Sequence, residues 1–381
     1  MNDLPSSVRK RALRLVPFLL VGAFAISACT STPAASPSPA ASPSPSLSPI
    51  EARPLNFVTV PSDALGDNLL GEPAERDVTV YLPPQYFTGD ESFPVVYYLA
   101  GHSSGRTIAN VAIPRDLDSA FEDIDPMIVV VIDGLNLFQG SFYVDSPTTG
   151  GWATFITEDV VSYVDGHFRT ISDREARGIA GHSMGGFGSW DIAMRNPDVF
   201  GSVYAIAPGL YDEEGLEGSP WFSAEGRIRA MIDLVDESAA RDPDAGLAHL
   251  AASQLGFDVG YGMAFAPSDQ FPYFEYPFSL EGDDLVLDED VLDLWMSGFG
   301  GIEEEVSEFG EGISTLLGIG IDCGSNDEYG WIPVGCALLD AELTRAGIDH
   351  EYLLHTGNHT GRHRERVLEY MLPFFEDVFA G

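Results

Sequence analysis

Apolar positions fall into short unbroken runs separated by longer stretches of helical spacing, and this alternation is the main structural signal in the chain. Phe57 to Val60 and Arg76 to Leu82 alternate apolar and polar residues, which predicts an antiparallel pair with Gly66-Asp67-Asn68 in the turn between. Pro94 to Ala100 (PVVYYLA) and Met127 to Ile132 are almost wholly apolar, as strands covered on both faces are. Helical spacing marks Ile108 to Phe121 and Phe155 to Phe168. A further apolar run leads into Gly181. The helix after it, carried by Phe187, Trp190, Ile192, Ala193 and Met194, stops at Asn196-Pro197, where proline cannot continue it. Ser202 to Ala207 is another buried strand. Such alternation predicts an α/β fold, a mainly parallel central sheet with helices on both faces.

Residues 210 to 315 interrupt the pattern with short helical pieces (Ile228 to Leu234, Val291 to Trp295), loops, acids and aromatics. A long irregular insertion in a compact domain predicts a cap at the carboxyl edge of the sheet. Order resumes with a strand at Leu317 to Asp322, a helix at Ala337 to Ala346, a strand at Glu351 to Leu354 and a closing helix from Arg366 to Phe379. Residues 51 to 381 thus read as one domain without internal repeats.

The first fifty residues have a different character. Arg9, Lys10, Arg11 and Arg14 precede an apolar run from Leu15 to Ile26 that ends at Ile26-Ser27-Ala28-Cys29, the order of an export signal. The run is short for a membrane span. It resembles a bacterial lipoprotein signal, with an aliphatic residue three before the cysteine. That resemblance implies removal of residues 1–28, lipidation of Cys29 and anchoring on the outer face of the cytoplasmic membrane or cell envelope; an ordinary secretory signal cut near Ala28 is the alternative. Residues 29–50, after Cys29, are almost all Ser, Pro and Ala, an extended tether that cannot bury enough apolar surface to fold.

Charge and cysteine content narrow the function. With 19 basic against 59 acidic residues, a net of −40, the chain repels polyanions, which excludes nucleic acid as a partner and disfavours anionic substrates. Lys10 is the only lysine and lies in the signal, so a Ser-Lys dyad is excluded. With Cys29 assigned to lipid, Cys323 and Cys336 remain, and in an oxidising compartment they predict one disulfide worth about 3 kcal/mol in the chain-entropy model. Two free buried thiols are the alternative.

The candidate chemistry centres on Gly181-His182-Ser183-Met184-Gly185, a G-x-S-x-G placed between a strand and a helix, the setting of a nucleophile elbow. Ser183 is the candidate nucleophile, and the backbone N–H of Met184, at the helix N-terminus, faces any developing oxyanion. A serine hydroxyl needs a base to take its proton and an anion to orient that base. In the chain order Ser, Asp, His, the base falls near the C-terminus among His350, His355, His359 and His363; His359 lies in the glycine-flanked loop Gly357 to Gly361, just past a strand end. For the acid, Asp322, Asp327 and Glu328 are all open. His355, His359 and His363 at four-residue spacing would suit zinc on a helix, but Gly357 and Gly361 argue against a helix there, and no metal site is assigned.

The stretches PVVYYLAGHSSG, GHSMGGFGSWDIAMRNPDVFGSVYAIAP, IDCGSNDEY and GNHTGRHRERVLEYMLPFF together resemble the esterase D family of α/β-hydrolases, a group that includes S-formylglutathione hydrolases, feruloyl esterases and mycolyltransferases. The resemblance covers roughly residues 55 to 380 outside the cap, with Ala100-Gly101 standing where the family has His-Gly. It implies a serine carboxylic-ester hydrolase without cofactor, with Ser183 as nucleophile, His359 as base, Asp327 as its orienter, and the N–H groups of Met184 and His102 as oxyanion hole. A small-molecule or glycan-linked ester is the expected substrate; the cap matches no subgroup of the family, so the resemblance does not carry the substrate over. Envelope acyl transfer is the alternative within enzymes, and a non-catalytic binding protein the alternative outside them. The aromatics Phe271, Tyr273, Phe274, Tyr276 and Phe278 predict glue for the cap rather than a pocket, and the acids from Asp283 to Asp290 a solvated face rather than a calcium loop.

Overall fold

The computed structural model describes residues 9–10, 51–212 and 219–381. The predicted signal, Cys29 and the tether lie outside the described residues except for Arg9–Lys10, which pair with Val286–Leu287. No helix among the described residues is long and apolar enough to cross a membrane.

Eight strands form the central sheet: β1 (Leu55–Pro61), β2 (Glu75–Tyr81), β3 (Val95–Leu99), β4 (Ile128–Ile132), β5 (Arg177–His182), β6 (Ser202–Ile206), then, after a hairpin of β7 (Phe278–Glu281) and β8 (Asp284–Leu287), β9 (Gly318–Gly324) and β10 (Glu351–His355). Their order across the sheet is β10-β9-β6-β5-β3-β4-β2-β1. The six strands from β10 to β4 run parallel, and β2 and β1 close one edge antiparallel. The mainly parallel sheet follows from the apolar runs: every residue of β3 and β4 is buried, because helices cover both faces. Val95, Tyr97 and Leu99 enter the core shared with the cap, while Val96 and Tyr98 meet Val367, Met371 and Phe375 near the C-terminus. Each fully buried side chain of this size stabilises the fold by about 1.5–3 kcal/mol.

β1 and β2 pair antiparallel as expected, and their connection opens with a helical turn, Asp63–Gly66, with Ser62 Oγ accepting from Leu65 N–H as its cap. One local expectation is corrected. The segment 108–121 is not one helix: it splits into a tight turn at Ile108–Asn110 and a helix at Pro114–Ala120, because Pro114 fits the first turn of a new helix but not the interior of a longer one.

The insertion between β6 and β9 is far more helical than its sequence suggests, with helices at Glu225–Ala239, Pro243–Ala251, Gly256–Phe265, Glu289–Met296 and Ile302–Ile313. Gly256–Phe265 buries Val259 to Ala264 without a break, and a Cβ on Gly262 would lie 2.6 Å from Trp295 and from Phe274. A helix packed on all sides carries no amphipathic stripe to read. Tyr276 and Phe278 stack around Phe222 within this insertion, as cap glue should. Cys323, in β9, is bonded to Cys336, in the helix Trp331–Ala346, and closes the loop that carries Asp327.

Candidate active site

β5 lies at the centre of the sheet, and the chain reverses at its end into the helix Met184–Arg195. Ser183 sits at the reversal with φ 59° and ψ −117°, a conformation that costs of order 1–3 kcal/mol and persists only where its surroundings impose it. They do so by hydrogen bonds and by sterics. Ser183 N–H donates to Ile206 (2.9 Å), and its carbonyl accepts from Phe187 (2.9 Å) and Gly209 (3.2 Å). A Cβ on Gly181 would lie 2.1 Å from the Gly185 carbonyl oxygen, and one on Gly185 2.0 Å from that of Leu99. On Gly101 it would lie 3.6 Å from Ser183 Cβ, so the loop after β3 passes beside the serine. Among the described residues, the backbone N–H groups of Met184 and His102 make no hydrogen bond.

The loop after β10 brings His359 to the same rim. Its Nδ1–H donates to Asp327 Oδ2 at 2.7 Å, with both residues buried, and Asp327 Oδ1 accepts from Tyr329 N–H (2.8 Å). The two other acids are otherwise engaged. Glu328 accepts from His359 N–H (3.0 Å) and Asn358 Nδ2 (2.9 Å), and the His359 bond, first among several, holds its carboxyl below the usual range. Asp322 Oδ1 accepts from Arg366 Nε at 2.8 Å; burial pushes its carboxyl up to about 6 against the pull of that guanidinium.

Two further groups support the loop, and the sequence assigned this role to neither. His182 Nε2–H donates to the His359 carbonyl (2.9 Å), and Arg366 Nη1 donates to the same oxygen (3.2 Å). Burial, reinforced by the neighbouring His359, His363 and Arg366, drives the His182 imidazole well below its ordinary value, which keeps it neutral. Local sequence carries no signal for these contacts, because they cross 177 residues in the first case.

The other histidines make separate contacts. His355 ends β10, its Nδ1 accepting from Gly357 N–H (2.9 Å), and burial lowers it to about 4. Its Nε2 lies 3.2 Å from Asp322 Oδ1 without an aligned hydrogen bond. His363 starts a helix and donates to the Asn110 carbonyl. His102 Nε2–H donates to the Phe138 carbonyl (3.1 Å), and burial lowers its pKa. Among the described residues no group of three His, Cys, Asp or Glu side chains is placed to hold a metal ion.

Ser183, Met184, His102 and His359 line one cavity of about 690 Å³, a size suited to a small organic ligand. Its walls include Trp221, Phe257, Phe299, Tyr329 and Trp331, which come from separate segments and carried no common pattern in the sequence. No hydrogen bond joins Ser183 Oγ to the imidazole among the described residues; such bonds are often long before substrate enters. The arrangement can do acyl transfer: a hydroxyl on a strained elbow, an imidazole oriented by a buried carboxylate, and two free amides at one rim.

Residues 72–252 match the family model described as putative esterase. The S-formylglutathione hydrolase of Paracoccus denitrificans (strain Pd 1222) is 35% identical over 161 residues, 38% of this chain and 56% of the relative, so the chain spans little more than half the length of that protein. Among solved structures, a ferulic acid esterase superposes with a TM-score of 0.54 at 20% identity, covering 85% of this chain and 98% of the other. An S-formylglutathione hydrolase from Agrobacterium tumefaciens gives 0.51 at 18% identity, covering 85% and 95%. Residues 72–252 thus resemble the putative esterase model, and over most of its length the chain has the α/β-hydrolase fold of the structures it superposes on.

Proposed function

We propose that the chain is an exported serine hydrolase that cleaves carboxylic esters through an acyl-enzyme. The observation that carries this reading is the 2.7 Å contact from His359 Nδ1 to the buried Asp327, at the rim where Ser183 holds its strained elbow. Ser183 Oγ attacks the ester carbonyl while His359 Nε2 takes the hydroxyl proton, and Asp327 stabilises the imidazolium. Negative charge on the carbonyl oxygen is met by the N–H groups of Met184 and His102, each worth on the order of 3 kcal/mol to the transition state. Collapse breaks the ester C–O bond, the alcohol leaves with the proton from His359, and water repeats the sequence to free the acid. The substrate is a small-molecule or glycan-linked ester; the matched relative is named a hydrolase of S-formylglutathione and the structural neighbour an esterase of ferulic acid.

The enzyme works outside the cytoplasmic membrane, held by a lipid on Cys29 through the tether. Two experiments test it. p-Nitrophenyl acetate should give an initial burst of p-nitrophenol equal to the enzyme present, followed by slower turnover, and Ser183→Ala should abolish both; full turnover by that variant would refute the mechanism. The full-length chain expressed in a bacterium should take up radiolabelled palmitate, and Cys29→Ala should not.

A further inference from the structure

Among its described residues, the cap supplies a charged pair to the cavity. Arg227, near the start of the helix Glu225–Ala239, and Asp258, in the first turn of Gly256–Phe265, both line the space that holds Ser183. Arg227 grips Asp258 with Nε (3.1 Å to Oδ2) and Nη2 (2.9 Å to Oδ1, 2.7 Å to Oδ2). This two-pronged contact fixes the guanidinium plane. Asp258 is buried, but the Arg227 side chain is 34% exposed, and its Nη1 makes no hydrogen bond among the described residues. Among the described residues lining the cavity, these two carry the only formal charges apart from the histidines; Trp221 and Phe257 line the same cavity. A rigidly held donor in a wall with such aromatic surface is built to be met by an acceptor, because a ligand that offers none forfeits a charge-assisted hydrogen bond.

The charge balance specifies which acceptor. Asp258 already compensates the guanidinium, so a carboxylate on Nη1 would leave the site net negative inside a chain of net charge −40. An uncharged oxygen, carbonyl, ether or hydroxyl, takes the hydrogen bond without that repulsion. We infer that Arg227 is a specificity-determining residue that selects esters bearing an uncharged hydrogen-bond-accepting oxygen in the portion held under the cap. This rests on the ester-hydrolase reading and adds the substrate class to it.

Two matched series of esters test it. In the first, p-nitrophenol carries hexanoyl, 5-oxohexanoyl or 5-carboxypentanoyl groups; in the second, acetate carries hexyl, 5-oxohexyl or 5-carboxypentyl groups. In at least one series the oxo ester should exceed its hydrocarbon counterpart in kcat/KM by about tenfold, the size of one hydrogen bond from a charged donor, with the carboxylate ester slowest. Arg227→Lys leaves Asp258 paired but removes the second edge of the guanidinium, and Arg227→Met with Asp258→Asn removes both charges together. In both variants the oxo-to-hydrocarbon ratio should fall to about one, and that ratio does not depend on how much of a variant folds. Equal rates in both wild-type series, a preference for the carboxylate, or a ratio unchanged by the substitutions would overturn the inference alone. Failure to cleave any of the six esters would overturn the esterase reading itself.

Discussion

A methyl group on Gly185 would stand 2.0 Å from the carbonyl oxygen of Leu99. Neither backbone can yield without moving β3 or the elbow. Gly185→Ala should therefore destabilise the fold by about 2 kcal/mol or more and cost activity in the molecules that do fold, as urea unfolding and ester hydrolysis would show; a variant as stable and active as wild type would mean that the elbow is looser than described. The three acids after β9 separate in the same way. Asp327→Asn should lower kcat by about 10⁴, the scale seen when a triad aspartate is removed, because His359 loses the group that sets its tautomer. Glu328→Gln keeps its acceptor oxygen for His359 N–H and should cost less than about tenfold; the opposite ranking would exchange their roles. The elbow was legible in the sequence because its glycines have a steric cause that any such turn shares. Asp322, Asp327 and Glu328 could not be ranked by spacing, since they lie within seven positions of one another and only the loop's path decides which carboxylate meets the imidazole.

At the level of elements, the loop after β10 is held by what lies under it. Arg366 ties the His359 carbonyl (3.2 Å) to Asp322, through Oδ1 (2.8 Å) and the backbone oxygen (3.1 Å). Arg366→Met leaves a buried carboxylate without its partner, which should lower stability by about 3–5 kcal/mol in urea unfolding; an unchanged unfolding midpoint would show that the pair carries no weight. The strands of the sheet were readable because apolar runs covered on both faces leave little alternative. The cap was not. Its helix Gly256–Phe265 is buried on nearly every side and packs through glycines, so neither an apolar stripe nor a high helix propensity marks it. The aromatic cavity walls share that fate: Trp221, Phe257 and Trp331 meet only in three dimensions.

For the whole molecule, the junction between cap and sheet domain contains an ionisable cluster. Arg195, at the end of the elbow helix, donates to Asp191 (2.7 Å) and to Glu305 of the helix Ile302–Ile313 (3.3 Å). Burial, then the nearby Asp191, pushes the Glu305 carboxyl up to about 8 against the attraction of Arg195. A folded pKa raised above the unfolded value means that the native state holds this proton more tightly, so the stability it contributes is present at acid pH and is lost as pH rises from about 4.5 through about 8. Glu305→Gln should thus raise Tm by about a few degrees at pH 8.5 relative to wild type and by less at pH 5; equal shifts at both values would contradict the assignment. The same fold gathers residues 183, 327 and 359 at the carboxyl rim of one sheet, and their joint action is the central claim. Labelling with a fluorophosphonate probe, followed by peptide mapping, tests it most directly: the account predicts one modified residue, Ser183, in the wild-type protein and little or no labelling in His359→Ala, whereas labelling at another serine, or equal labelling of the variant, would contradict it.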